Sequence, residues 1–360
     1  MSAQPETFPT PAALPRRRDE PESGPGLRAP ELVDLVTCPD LSEVEARMLA
    51  LAGPTDRAGR MAREHLATGG KRLRARLALA AATALGAPRD AAIAWATAVE
   101  LLHNATLVHD DIQDGDTARR GKPTVWARHG VAQGINVGDL FLMLPFLALA
   151  EIPGDARAEL SPILAAHAVQ TVRGQIDELE LLDREALDDD AYVGAIVGKT
   201  GALLALPVVG AAVLSGRSLG QARRLGEAFM PLGLLFQLQD DLLDLYGDKG
   251  RQRPGCDLYE GKVSALVVAH LARRPADRAW LLDLLRRPRD QTPEAEVRRA
   301  IAAFADSSAV DDVLARIRRL AATPDQDLAL AEEPSLRLIA SHIATLAVAP
   351  IRHLFEDLRA

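Results

Sequence analysis

Aromatic residues are scarce in this chain, 4% of its 360 positions, while alanine and leucine are abundant. Strands draw on aromatic and β-branched side chains, so the shortage favours helix over sheet. Cysteine is nearly absent. Cys38 and Cys256 are the only two; they have no metal-site spacing and form no framework, so both are expected to be free thiols in a reducing, cytoplasmic compartment. There is no basic excess, and a formal charge of −8 argues against general nucleic-acid binding, which calls for a cationic surface. Long apolar runs are missing as well. The two longest, 140–150 and 203–214, contain Pro145 and Pro207 and fall short of the roughly 20 residues of a bilayer span, so no transmembrane segment is expected. The first residues are polar and proline-rich, without the apolar stretch of a signal peptide.

Apolar residues make up 48% of the chain and charged residues 26%, the balance of a globular protein with a sizeable core. Residues 1–30, centred on PRRRDEPESGPG, cannot bury enough apolar surface to offset ordering and are expected to be a disordered tail. From Leu41 onward apolar side chains recur at three- and four-residue steps, over 44–51, 57–67, 73–85, 91–109, 135–150, 160–182, 189–197, 203–215, 219–246 and 262–272. Glycine and proline punctuate these segments, and no alternating run is long enough for a sheet. Residues 31–360 therefore predict one all-α domain. Residues 273–360 carry no chemical signal and are assigned only helix and a packing role.

Two aspartate triplets share one spacing: Asp110, Asp111 and Asp114 in DDIQD, and Asp240, Asp241 and Asp244 in DDLLD. On a helix, positions i and i+4 share a face, so Asp110 and Asp114 come together with Asp111 beside them. Three like charges in one patch destabilise a helix, and a second such patch in an equally apolar setting points to a shared cation. Mg²⁺ fits, since it takes oxygen ligands and binds through one or two carboxylates plus substrate phosphates. The cations extend that reading. Lys71 and Arg74 follow Gly69-Gly70, Arg119-Arg120 follow the first triplet, and Lys199 and Lys262 lie near later apolar segments. Arginine forks and lysine ammoniums of this kind grip phosphate oxygens, enough for two diphosphate groups.

With GGKRLR, ELLHNATLVHDDIQDGDTARRGKPT, GQIDEL, GKTGALL, FQLQDDLLD and DLYEGK in that order, the chain resembles the trans-isoprenyl diphosphate synthases, or polyprenyl synthetases, from about Gly69 to Leu266. The resemblance implies a single large helical bundle of the isoprenoid synthase type with a central apolar cavity, usually as a homodimer. It implies that both triplets bind three Mg²⁺ ions and an allylic diphosphate, which Arg119, Lys199 and Lys262 also contact. Lys71, Arg74, His103 and Arg120 would hold isopentenyl diphosphate, and Thr200 and Gln237 would line the reacting centre. The chemistry is ionisation of an allylic C–O bond, attack on the cation by the isopentenyl double bond, and loss of a proton, with water excluded. The family pattern is departed from in four places: Arg251-Gln252-Arg253 where a lysine is usual, Glu178 for aspartate, Ala75 for proline and Ser264 for threonine.

Ala105 and Thr106 lie about one helical turn, roughly 5 Å, before Asp110. Both are small, which favours a C20 product, geranylgeranyl diphosphate, over C15, with C25 and beyond as the other alternative. Leu101 and Leu102, and Phe141, Met143 and Phe146 on a neighbouring helix, are expected as the floor. Two other readings remain. A class I terpene cyclase would pair one aspartate motif with an Asn/Ser/Glu motif and needs no cations for a second diphosphate. A non-catalytic synthase subunit would be expected to have lost ligands.

Overall fold

The computed structural model describes residues 29–37, 40–53, 56–185, 187–247 and 254–357. Most of the expected tail lies outside the described residues, as do Cys38 and Arg251, Gln252 and Arg253; Ala29 and Pro30 open the first helix. The first half contains α1 (Ala29–Thr37), α2 (Ser42–Leu51), α3 (Arg57–Leu66), α4 (Leu73–Leu85), α5 (Arg89–Gln113), α6 (Val125–His129), α7 (Val131–Leu149) and α8 (Asp155–Glu180). The second half contains α9 (Asp189–Ile196), α10 (Ala202–Leu214), α11 (Leu219–Glu227), α12 (Met230–Tyr246), α13 (Cys256–Tyr259) and α14 (Ala265–Arg273). It closes with α15 (Arg278–Arg286), α16 (Glu294–Asp306), α17 (Ala309–Ala321), α18 (Thr323–Gln326), α19 (Leu328–Ala331), α20 (Pro334–Val348) and α21 (Leu354–Asp357). Among the described residues the strands are two, β1 (Ala118–Arg119) and β2 (Lys122–Pro123), paired antiparallel.

Helix α5 sits at the centre, packed against α2, α4, α7 and α10. No glycine or proline interrupts its 25 residues, and from Ala91 to Leu102 every side chain is buried. A helix apolar on all sides is stable only when neighbours surround it. Trp95 is fully buried and its indole N–H donates to the Pro207 carbonyl at 3.0 Å. That contact depends on Gly210, where a Cβ would overlap the indole ring.

The segment expected as one helix over 219–246 is two, because the chain breaks at Ala228-Phe229 and restarts with Pro231 in the first turn of α12. Proline has no N–H to donate and suits a helix start rather than an interior. Pro145 and Pro207, by contrast, lie inside α7 and α10. The helices there are longer than the apolar runs suggest. Among the described residues four stretches, Arg89–Gln113, Val131–Leu149, Asp189–Leu214 and Pro334–Ile351, are long and apolar enough to cross a bilayer. In the first and third, 83% and 78% of the most apolar window is buried inside the protein, so their apolar character serves the core.

Candidate active site

A cavity of about 1340 Å³ opens between α4, α5, α10 and α12. Each triplet sits toward the C-terminal end of its helix, Asp110 to Asp114 ending α5 and Asp240 to Asp244 in the last turns of α12. The negative ends of two helix dipoles thus add to the carboxylates in attracting cations. Asp110, Asp114, Asp240 and Asp241 line the cavity.

Asp111 and Asp244, expected as ligands like the others, do not line it. Asp111 is 1% exposed, and its Oδ1 accepts from Arg119 Nε and Nη2 at 2.8 and 2.6 Å. Asp244 is buried and accepts from the Asp257 backbone N–H at 3.0 Å. For Asp111 the reason is helical phase: one residue turns the side chain by about 100°, so the step from 110 to 111 leaves the cavity face that the step to 114 regains. Asp244 shares a helix face with Asp240 but is turned to the Asp257 backbone instead. Asp241 faces the cavity yet already accepts from Tyr192 Oη (2.7 Å), the Ala265 N–H (2.7 Å) and Gln237 Nε2 (2.9 Å). Burial, with Asp257 nearby, pushes its carboxyl up to about 7. Burial likewise raises Asp110 and Asp111.

The cations come from separate elements. Lys199 and Thr200 lie on a π-helical turn, Val197–Gly201, that joins α9 to α10. Such turns widen a helix locally and often mark functional positions. Lys199 Nζ bonds Glu178 at 2.6 Å and sits 3.6 Å from Asp110. Lys262 Nζ lies 2.8 Å from Asp114 and 3.0 Å from Glu260. Burial works against both ammoniums, but the adjoining carboxylates outweigh it and hold both above the ordinary lysine value. Arg119 and Arg120 occupy the β1–β2 hairpin, with Arg120 in the left-handed region at φ 52°. The Arg120 guanidinium donates to the Gly69 carbonyl and lies where a Cβ on Gly70 would be. Gly69-Gly70 is therefore the seat of a cation as well as a turn.

Arg74 Nη1 donates to His103 Nε2 at 2.9 Å. Arginine has no lone pair to accept with, so Nε2 is the acceptor and the imidazole proton sits on Nδ1, 3.4 Å from Thr106 Oγ1. Burial, with Arg74 beside it, drives His103 well below its usual value, and burial brings Arg74 down to about 10. Arg74, His103, Thr106, Arg119, Arg120, Lys199, Thr200, Gln237 and Lys262 all line the cavity. Lys71 is exposed and does not.

The apolar part of the wall is Leu73, Leu107, Leu203, Leu204, Phe236 and Val263. Ala105 is fully buried outside it, because the lining face runs through 103, 106, 107, 110 and 114. The expected floor also lies elsewhere. Leu101, Leu102 and Phe141 are buried in the core, Phe141 with its ring 5.5 Å from that of His65, while Met143 and Phe146 are 59% and 39% exposed.

Sequence reasoning missed Tyr192, Glu260 and Arg289. Glu260 stood inside the quoted motif DLYEGK. Arg289 comes from the stretch assigned only packing, and its guanidinium lies 3.6 Å from Asp116 and 3.5 Å from Glu260. Tyr192 has no local signal, since its partner is 49 positions away.

The donor set fits a divalent cation: hard carboxylate oxygens from Asp110, Asp114, Asp240 and Asp241 on one cavity, those of Asp110 and Asp241 desolvated by burial. Among the described residues no three acidic, histidine or cysteine side chains form a complete protein cage. That suits an ion whose remaining ligands are water and phosphate oxygens.

An all-α bundle whose central cavity has carboxylates and cations at one end and aliphatic walls at the other is built to hold an amphiphile by its anionic head. Residues 56–304 match the polyprenyl synthetase family, and the chain belongs to it. It is 32% identical over 282 residues to a geranylgeranyl pyrophosphate synthase from Geoglobus acetivorans, covering 77% of this chain and 86% of that one. To a short chain isoprenyl diphosphate synthase from Methanocaldococcus jannaschii it is 33% identical over 249 residues, covering 68% and 76%. The crystal structure of a polyprenyl synthase from Caulobacter crescentus CB15, complexed with calcium and isoprenyl diphosphate, superposes with a TM-score of 0.77 at 29% identity, covering 91% and 99%. The enzyme is a prenyltransferase.

Proposed function

We propose that the chain condenses isopentenyl diphosphate with allylic diphosphates in a Mg²⁺-dependent reaction, with geranylgeranyl diphosphate as its product. The observation that carries this is the single cavity that joins Asp110, Asp114, Asp240 and Asp241 and six cationic side chains to a wall of Leu73, Leu107, Leu203, Leu204 and Phe236. Asp110, Asp114 and Asp240 would hold the metal, with three Mg²⁺ ions expected alongside the allylic diphosphate. Bound there, Mg²⁺ offsets charge on the leaving diphosphate. Lys199, Lys262 and Arg119 hold the allylic diphosphate. Arg74, Arg120 and the neutral His103 form the second diphosphate site, while Thr200 and Gln237 border the reacting carbons. Asp111 keeps the Arg119 guanidinium aimed, and Asp241 anchors Gln237. The proton lost at the end of each cycle passes to released diphosphate.

Product analysis by chain length, with farnesyl diphosphate, isopentenyl diphosphate and Mg²⁺, tests the reading: a C20 product is expected. C15 products from shorter primers, or C25 and longer ones, would keep the chemistry and change the length. Product formed from an allylic diphosphate alone would point to a cyclase. Asp110→Ala and Asp240→Ala should each lower turnover at least ~100-fold. Unchanged turnover in both would remove the assigned roles and leave the non-catalytic subunit.

We infer a homodimer as well. Helix α7 exposes Val131, Ile135, Met143, Phe146 and Leu147, and α8 exposes Val169, Val172, Ile176 and Leu179, each between 39% and 59% exposed. Contiguous apolar faces of this kind mark association sites. Residues 91–108 of α5 are largely buried within the subunit and offer no such face.

A further inference from the structure

Arg289 stands apart from the other five cations of the cavity. Arg74, Arg119, Arg120, Lys199 and Lys262 come from motifs between Gly69 and Lys262, whereas Arg289 comes from the loop between α15 and α16. That loop is built. The Gln291 N–H donates to the Pro288 carbonyl at 2.8 Å, which closes a β-turn with Arg289 at its second position. Thr292, 8% exposed, donates its hydroxyl to the same carbonyl at 3.1 Å. Pro288 and Pro293 flank the turn and limit its backbone freedom.

The turn holds the guanidinium against two carboxylates that also line the cavity. Its distances, 3.6 Å to Asp116 and 3.5 Å to Glu260, exceed the 2.7–2.9 Å of a tight charge-assisted hydrogen bond. The side chain is 44% exposed, so this ion pair contributes little on its own. Glu260 is shared with Lys262, and Lys262 with Asp114. Asp114, Lys262, Glu260, Arg289 and Asp116 form a run of alternating charges along one side of the mouth. A cation on a rigid turn, loosely paired and next to Lys262, is placed to exchange carboxylate oxygens for phosphate oxygens at low cost.

We propose that Arg289 is a further diphosphate-binding residue, which grips the allylic diphosphate beside Lys262 once that substrate enters. The proposal rests on the prenyltransferase reading of the cavity. Because the guanidinium fork matches two phosphate oxygens at once, lysine can replace its charge and only part of its grip.

The test is calorimetric titration of inorganic pyrophosphate with Mg²⁺ into wild type, Arg289→Gln and Arg289→Lys, alongside KM values for both substrates. Arg289→Gln is expected to weaken pyrophosphate binding and raise the allylic KM about tenfold. Arg289→Lys should recover part of the loss, with the isopentenyl diphosphate KM and the melting temperature unchanged. Unchanged pyrophosphate affinity and allylic KM in a folded Arg289→Gln protein would overturn the proposal and leave the function intact. A lowered melting temperature without a KM change would likewise overturn it, assigning Arg289 a structural role. Failure of the wild type to bind pyrophosphate with Mg²⁺ or to turn over would instead sink the reading of the cavity itself.

Discussion

Thr106 lines the cavity and donates its hydroxyl to the His103 carbonyl at 2.8 Å, so a phenyl ring there would project into the path of the growing chain. Thr106→Phe should shorten the product by at least one isoprene unit, read by chromatography of the dephosphorylated alcohols. Ala105→Phe should instead overpack the core, cost about 1–3 kcal/mol and lower the urea midpoint without shortening the product. His65 supplies a pH dependence. Burial holds it down to about 3, so it is neutral in the folded protein and binds a proton on unfolding below 6.5. Its contribution to stability is complete above pH 6.5 and is lost as pH falls toward 3, at up to about 1.4 kcal/mol per unit. His103 acts with the same sign. His65→Leu should therefore narrow the stability difference between pH 7 and pH 5 by ~2 kcal/mol, measured by urea unfolding. At this scale the sequence was legible where spacing fixes direction, as for Asp110 and Asp114. It was illegible where the answer depends on what lies across the gap: the Arg119 grip on Asp111, the donors around Asp241 and the burial of Ala105.

The π turn Val197–Gly201 is held by two close approaches. A Cβ on Gly174 of α8 would overlap the Lys199 backbone nitrogen, and one on Gly233 of α12 would lie 2.6 Å from Gly201 Cα. Gly174→Ala should push the turn away from α8 and displace Lys199 from Asp110. A misplacement of about 1 Å can cost ~100-fold in rate, so kcat should fall by that order, and circular dichroism should show the helix content retained. Equal kcat in the variant would mean that the turn tolerates the shift. The helices themselves were readable from three- and four-residue steps, because burial of one face imposes that period. The break at Ala228 also carries a signal, in Pro231. The π turn was not readable, since it follows from the close approach of α8 and α12. Asp277, His270 and Ser307 show the same limit: His270 is buried and lies 2.9 Å from Ser307 Oγ and 3.0 Å from Asp277, tying α14 to the ends of two later elements.

Assembly is the first property of the whole molecule open to measurement. Ile176→Glu, which puts a charge on the exposed stripe of α8, should convert a dimer to monomers in sedimentation, with far-UV circular dichroism unchanged. A dimer that survives both this change and Met143→Glu would place the contact elsewhere. The last third of the chain was the least readable, because a helix that packs against the outside of a site looks like any other amphipathic helix until α12 is seen against α17 and α20. One consequence of that closure concerns fidelity. Helix α1 packs between α4 and α20: Arg76 of α4 donates to the Val36 carbonyl at 3.3 Å, and Thr37 Oγ1 lies 3.1 Å from His342 Nε2 of α20. Helix α4 in turn supplies Leu73 and Arg74 to the cavity wall. Helices α1 and α20, which supply no residue to the cavity, thus brace the wall that keeps solvent from a carbocation. Loosening that brace, as Arg76→Ala should, is expected to show first in the by-products, as a larger share of allylic primer lost to water per molecule elongated.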